Sequence, residues 1–394
     1  MRSIGVEEEL LLVDDRTGRP LAVARQALRS LATDGGTAVT NEIQQEMVEA
    51  VSRPHRNLDG LGADLVAGRE RADVAARAAG ARAAALATSP VAASPHATDS
   101  ARYRAIMDRF GIIGRESLTC GFHIHVSIAS PEEGVAVLDR IRTWLPVVLA
   151  LSTNSPFWQA EDTGYQSYRS QVWGRWPCAG PTDLFGSVDA YRWYEQCLLD
   201  TGGPVDEGML YFDARLSRSW PTVEVRVADV CLDPQDAVTI AGLVRGLVDT
   251  AAGHWRAGAE PRPVPSAALR VASWRAGRSG VGGQLVDPRT GRPRPAEEVV
   301  LDLLATIRPA LVENGDDAVV ADGTSHILAR GTGATRQRAA RAAGGRMTDA
   351  VMDAVRATHD QGRTGMQRVG GDSALRDDAG AVHRTVRADD LQAG

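Results

Sequence analysis

The sequence predicts an α+β fold, and two observations carry that prediction. Short segments rich in β-branched and aromatic residues hold their polar side chains at alternate positions, the period of a strand with two unlike faces. Between them run Ala-, Leu- and Arg-rich stretches with apolar residues at helical spacing. Three of the strand-like segments also carry acidic, histidine or arginine side chains at i, i+2, which puts those groups on one face.

In chain order, residues 4–14 read as a strand, with the DDRTGRP segment turning into a second one. Residues 57–88 read as one long helix, 89–101 as a Pro/Ser loop, and 101–110 as a short helix. TCGFHIHVSI is a compact strand, and 132–152 a strongly apolar helix. Of the 19 aromatic residues, 13 fall between Phe157 and Trp220, which suits either a packed core layer or a pocket wall. TVEVRVADV (222–230) is the next strand and 233–255 the next helix. A Gly/Arg/Pro loop follows at 275–295, then helices at 296–312 and 334–360. Few large apolar residues and no periodicity mark the end. The expectation is a single domain over 1–360 and a flexible C-terminal tail over 361–394.

Composition limits the chemistry. The 394 residues include 44 basic and 50 acidic side chains, and every basic one is arginine. A chain without lysine has no Schiff-base lysine, no Walker-type phosphate lysine and no kinase strand lysine. Phosphate, if handled, must be held by arginine, backbone amides and metal ions. The net charge of −6 argues against a dedicated nucleic-acid binder. Cys120, Cys178, Cys197 and Cys231 form no CxxC pair and signal neither zinc nor a disulfide framework. Three acids in MRSIGVEEELLLVDD stand where a signal peptide needs an apolar core. No apolar run approaches the roughly 18 residues of a membrane span. A cytoplasmic protein without membrane partners is the expectation.

Four sets of residues could carry chemistry. Glu7 and Glu9 share a strand face, either on a solvated edge or around a cation. Glu42, Glu46 and Glu49 share a face if NEIQQEMVEA is helical; if it is a strand, Glu46 and Glu49 oppose. Glu49 is flanked by Met47, Val48, Ala50 and Val51, which suits one inward carboxylate on a buried strand. His123 and His125 share a face of the third strand, and Glu224 and Arg226 repeat the spacing on the fourth. The recurrence matters more than any single pair. A sheet lined with carboxylates and one or two imidazoles suits hard divalent cations, which in turn hold phosphates. Arg226 and Arg169 are then the natural bidentate donors to a phosphoryl group.

Taken together, GVEEELLLVD, EMVEAVSRP, GFHIHV, NSPFWQAEDTGYQSYRSQVWGRWP and WPTVEVRVADVCLDPQDAVTIAGLV resemble the bacterial carboxylate–amine ligases of the glutamate–cysteine ligase type 2 family, over about residues 4 to 345. The resemblance implies a glutamine synthetase-like catalytic domain, a curved antiparallel sheet with helices packed outside. It implies ATP and Mg²⁺ (or Mn²⁺) as cofactors. Glu7, Glu9, Glu49, His123 and Glu224 would be metal ligands or lie next to the metal, and Arg226 would contact the transferring γ-phosphoryl group. His125 would bind phosphate or shape the strand. Arg169 and Tyr165, in YQSYRSQ, would hold a substrate carboxylate or phosphate. LARGTGATRQR (328–338) resembles a late family segment without an assignable contact.

The activity so implied is amide formation between a γ-carboxyl group, glutamate favoured, and an amine, cysteine or another amino acid or amine. The route is an acyl phosphate, because a free carboxylate is a poor electrophile. Two other readings stay open: a phosphotransferase acting on a small acceptor, and a non-catalytic nucleotide-binding sensor. The family also suggests a homodimer.

Overall fold

A computed structural model describes residues 1–31 and 38–360; the expected tail lies outside the described residues. The chain opens with β1 (Ile4–Val13), the short helix α1 (Ala24–Leu28), β2 (Ala38–Asn41), β3 (Met47–Val51) and α2 (Leu58–Ala78). Next come β4 (Arg82–Ala84), α3 (Ala101–Phe110), α4 (Ile112–Glu116) and β5 (Gly121–Ser127). α5 (Pro131–Ile141) and α6 (Leu145–Ser152) precede the small hairpin β6 (Phe157–Trp158) and β7 (Glu161–Asp162), then α7 (Arg169–Trp173) and α8 (Val188–Asp200). β8 (Ala214–Leu216) and β9 (Thr222–Asp229) lead into α9 (Pro234–Arg256) and α10 (Ser266–Ser279). The hairpin β10 (Gln284–Val286) and β11 (Pro293–Pro295) precedes α11 (Ala296–Asn314), α12 (Asp317–Arg330), α13 (Gly333–Gly344) and α14 (Met347–Thr358).

Among the described residues, seven strands form one sheet in the order β2–β3–β1–β5–β9–β8, with β4 also paired to β1. Its pairings are all antiparallel. The alternation along each strand sorts the two faces. Ile4 and Val6 of β1, Phe122, Ile124 and Val126 of β5, and Val223 and Val225 of β9 pack into one apolar cluster with α2, α5, α6 and α9. The alternate residues, Glu7, Glu9, His123, His125, Glu224 and Arg226, face away from those helices into a cavity. Glu8 points to the helix side, where its carboxylate accepts from Arg69 Nε (2.8 Å) and Nη2 (2.6 Å) of α2. Arg69 also donates to the carbonyls of Leu232 and Cys231. The three consecutive acids of β1 therefore divide two to the cavity and one to a buried ion pair.

One irregularity shapes the site. Phe122 pairs with Ala228 and Ile124 with Val225, so Arg226 and Val227 together stand against His123. The extra residue on β9 is a bulge, and it resets the side-chain alternation. Asp229, opposite Gly121, thereby returns to the face that bears Glu224 and Arg226.

Several expected elements are corrected. The DDRTGRP turn does not lead into a second strand; Val13 and Pro20 form a single bridge, and a helix follows. The helix expected over 57–88 ends at Ala78, because Gly80 takes φ +75° and Arg82–Ala84 pair with β1. The apolar helix expected over 132–152 is two helices, with Pro146 in the first turn of the second, where its missing N–H has no partner to lose. The loop expected over 275–295 begins inside α10 and contains the β10–β11 hairpin. The helix expected over 334–360 is divided at Gly345, at φ +81°. α8 and α12 were not foreseen.

Candidate active site

The polar face of the sheet forms one wall of a cavity of about 1120 Å³. The start of α3, the segment between β2 and β3, and an aromatic group comprising Tyr103, Trp173, Trp176 and Tyr211 form other parts of its lining. Strand register brings the acids together. Glu9 stands opposite Glu49, Glu7 opposite His123, and Glu224 opposite both His125 and Arg215. Among the described residues, three sets of metal-capable atoms result, each set within 4.8 Å: Glu7, Glu49 and His123; Glu7, His125 and Glu224; and Glu9, Glu42 and Glu49.

Glu7 sits between the two histidines. One oxygen lies 3.0 Å from His123 Nδ1 and the other 3.3 Å from His125 Nε2. His125 Nδ1 is 3.0 Å from Thr222 Oγ1. Glu9 accepts from the backbone N–H of Gly121. Burial works to raise the Glu7 carboxyl, but His125 and His123 outweigh it and hold it well below the usual carboxylate range. Glu42 and Glu49 behave oppositely. Burial, with Glu9 beside it, pushes Glu42 up to about 8. Burial, then Glu7, Glu42 and Glu9, drive Glu49 well above the ordinary range. Burial and the nearby Arg226 push His123 down, toward the neutral imidazole that a ligand nitrogen requires.

The donor set fits a divalent cation. Among the described residues, His123 Nε2 is buried without a hydrogen-bond partner, 3.9 Å from Glu9 Oε1, while its other nitrogen is oriented by Glu7. A carboxylate that fixes the second ring nitrogen is the usual arrangement around a ligating histidine. Glu9, Glu42 and Glu49 add an all-oxygen set of the kind that hard cations take.

Arginine supplies the fixed positive charge. Glu224 accepts from Arg215 Nε at 2.7 Å and from Arg226 Nη1. Burial opposes ionisation of Glu224, but Arg226 and Arg215 hold it charged. The Trp173 ring lies against both Arg226 and Arg169, with Cζ atoms 5.8 Å and 5.4 Å from its centroid. The structure thus brings Glu7, Glu9, Glu49, His123, His125, Glu224 and Arg226 to one cavity. Arg169 and Tyr165 do not line it. Arg169 is buried behind Trp173 and donates to the carbonyls of Val227 and Arg226. Tyr165 accepts from Trp274 Nε1 of α10 at 3.1 Å.

Arg215 and Trp173 are additions to the expected residues, and Glu42, a candidate from the acidic 42–49 stretch, joins the metal-capable set. Glu42 follows β2 rather than lying on a helix with Glu46 and Glu49. Glu46 is turned away and held by His96 at 2.6 Å. The alternation of Arg215 in the short strand before the RSWP turn was the one signal for it; Glu42 was marked only as one of three acids in NEIQQEMVEA, and it reaches the cavity through the β2–β3 connection.

The model of glutamate–cysteine ligase family 2 matches residues 3–357. A protein of Paenarthrobacter aurescens (strain TC1) named "Putative glutamate–cysteine ligase 2-1" is 52% identical over 369 residues, 92% of this chain and 96% of its own. A "Putative glutamate–cysteine ligase 2" of Streptomyces coelicolor is 48% identical over 360 residues, 91% of this chain and 99% of its own. Among solved structures, the glutamate–cysteine ligase of Francisella tularensis in complex with AMP superposes with a TM-score of 0.63 at 14% identity, over 91% of this chain and 88% of that one. A bifunctional glutathione synthetase from Pasteurella multocida gives 0.65 at 14% identity, over 91% and 52%. The fold is accordingly glutamine synthetase-like, as the resemblance implied.

Proposed function

The chain belongs to glutamate–cysteine ligase family 2, and from that premise we propose that it is an ATP- and Mg²⁺-dependent carboxylate–amine ligase. It joins a γ-carboxyl group, glutamate favoured, to an amine through an acyl phosphate. One observation carries the reading: seven acids and imidazoles on four strands and one connecting segment converge beside a buried arginine.

Bound divalent cations would neutralise the charge that keeps a carboxylate away from the polyanionic end of ATP. Glu9, Glu42 and Glu49 would hold such an ion through oxygen, and His123 would offer Nε2 with Glu7 fixing its ring. Both oxygens of Glu224 are engaged by arginine, so Glu224 holds Arg226 in place as well as bordering the ion site. Arg226 faces the transferring phosphoryl group; loss of one such fixed donor commonly costs ~100-fold or more in rate. The aromatic walls from Trp173, Trp176 and Tyr211 shield a water-sensitive intermediate. Cysteine is one candidate amine among amino acids and other small amines.

A matrix of candidate acids and amines, scored by ADP release with products identified by mass, tests the reading. The expected result is ADP release that requires both substrates, with an amide product. A stable phosphorylated acceptor without amide would point to simple phosphotransfer. Nucleotide binding without turnover for any pair would point to a sensor.

A further inference from the structure

Two sequence segments contribute nothing to the cavity wall: NSPFWQAEDTGYQSYRSQ (154–171) and LARGTGATRQR (328–338). They are nevertheless bound to each other and to the end of β9. Asn154 Nδ2 donates to the carbonyls of Ala85 (2.9 Å) and Val230 (2.8 Å). Gln337 of α13 donates to the Asn154 carbonyl (2.8 Å) and Oδ1 (2.7 Å). A Cβ on Gly333 would meet Asn154 Oδ1 at 2.2 Å, so that contact requires glycine. The late motif is therefore a buttress for the earlier segment.

Asp229 is the point where this assembly meets the sheet. It has no exposed surface, and it accepts from the Asn154 N–H (2.8 Å), Ser155 Oγ (2.7 Å) and Ser167 Oγ (2.8 Å). Ser155 Oγ in turn accepts from the Arg169 N–H at 2.9 Å. The first residue of α7 is thus placed by a carboxylate at the end of β9. From α7, Arg169 donates to the Arg226 carbonyl at 3.3 Å, and Trp173 lies against the Arg226 guanidinium. A loop held only for stability would not need to end on the cation that serves the cavity.

We propose that Asp229 is a positioning residue: through Ser155 and Ser167 it fixes α7 so that Arg169 and Trp173 hold Arg226 aimed into the cavity. The inference rests on the reading of Arg226 as the cation that meets the transferred phosphoryl group. It gives Arg169 a supporting role rather than direct contact with substrate.

Ser167→Ala in the full chain is the first test, with Asp229→Asn as a second variant that preserves size. Expected is a fall in kcat of about tenfold with KM for ATP changed by less than about twofold, the pattern of an interaction made in the transition state. In an Arg226→Ala background the same substitution should cost less than about twofold, because the two act as one unit. Backbone amides of residues 167–176 should exchange with deuterium at least about tenfold faster than in the wild type, as in a locally loosened segment. Equal losses in both backgrounds, or unchanged exchange in α7 for both variants, would overturn the proposal. Were the wild type to release no ADP with any acid and amine, the ligase reading would fall. The exchange measurement would then decide the positioning alone, faster exchange in α7 supporting it and unchanged exchange refuting it.

Discussion

Glu9 and Glu49 stand directly opposite each other on β1 and β3, with both side chains toward the cavity. Like charges at paired positions destabilise a sheet, and here Glu42 is close to both. The arrangement is favourable only when a proton or a cation lies among the three.

The first prediction follows from that relationship. In the presence of a chelator, Glu49→Gln should raise the thermal midpoint, since it removes the cost of crowding carboxylates. Added Mg²⁺ or Mn²⁺ should stabilise the wild type, by about 2.7 kcal/mol at a hundred times its Kd, and the variant much less. Scanning calorimetry with and without metal gives both quantities; an equal metal response in the two proteins would remove Glu49 from the ion site.

Arg226→Lys tests the fixed cation. Lysine is a compact point charge without the planar fork or the stacking face of arginine, so it cannot meet Glu224 and cover Trp173 together. Turnover should fall by ~100-fold or more, read as ADP release at saturating substrates. Activity within a few-fold of wild type would mean that charge alone suffices.

Glu8 supplies a contrast with its neighbours. Arg69→Met leaves its carboxylate buried without a partner, which typically costs about 3–5 kcal/mol. The double variant Glu8→Leu/Arg69→Met should recover most of that loss, apart from the carbonyls that Arg69 also serves. Urea unfolding measures these changes, and the metal response of the double variant should match that of the wild type.

Asp213 predicts a pH dependence away from the ion site. Burial pushes its carboxyl up from 3.8 to about 7, against the pull of Arg270 and Arg169. A raised carboxyl contributes stability that is complete below 3.8 and lost as pH climbs through about 7. Asp213→Asn lacks this loss, so its stability relative to wild type should improve from pH 4 to pH 8.5. One pKa unit corresponds to about 1.4 kcal/mol, so the expected change is on the order of a few kcal/mol. Parallel unfolding curves for the two proteins across that range would contradict it.

The site was legible in the sequence wherever strand periodicity alone fixes direction. Glu7 with Glu9, His123 with His125 and Glu224 with Arg226 needed only the two-residue repeat. Glu42 and Glu46 illustrate the limit: both sit in one acidic stretch, yet register and the contact with His96 send one to the cavity and the other away. Arg169 was read from its motif as holding a substrate carboxylate or phosphate; it lies instead outside the cavity wall, buried behind Trp173, a placement set by long-range contacts that no local spacing encodes. In the fold, helices recognisable by apolar spacing were found, while β4 was hidden in an Ala-rich run. Its three residues are strand only because β1 offers an edge to pair with. The division of 132–152 was written in Pro146, a signal overridden by the strength of the apolar pattern.

The extra residue of β9 has a consequence for how this chain can change. Glu224 and Arg226 precede or enter the irregularity and Asp229 follows it, so one strand presents both the reactive groups and the anchor of their support. Point substitutions can adjust either set separately. Loss of a single residue between Arg226 and Asp229 would instead turn the anchor toward the helices and release α7 in one step. Length between those two positions should therefore be held constant among functional variants even where side chains vary, and a library of single-residue deletions along β9 should show its sharpest loss of function there.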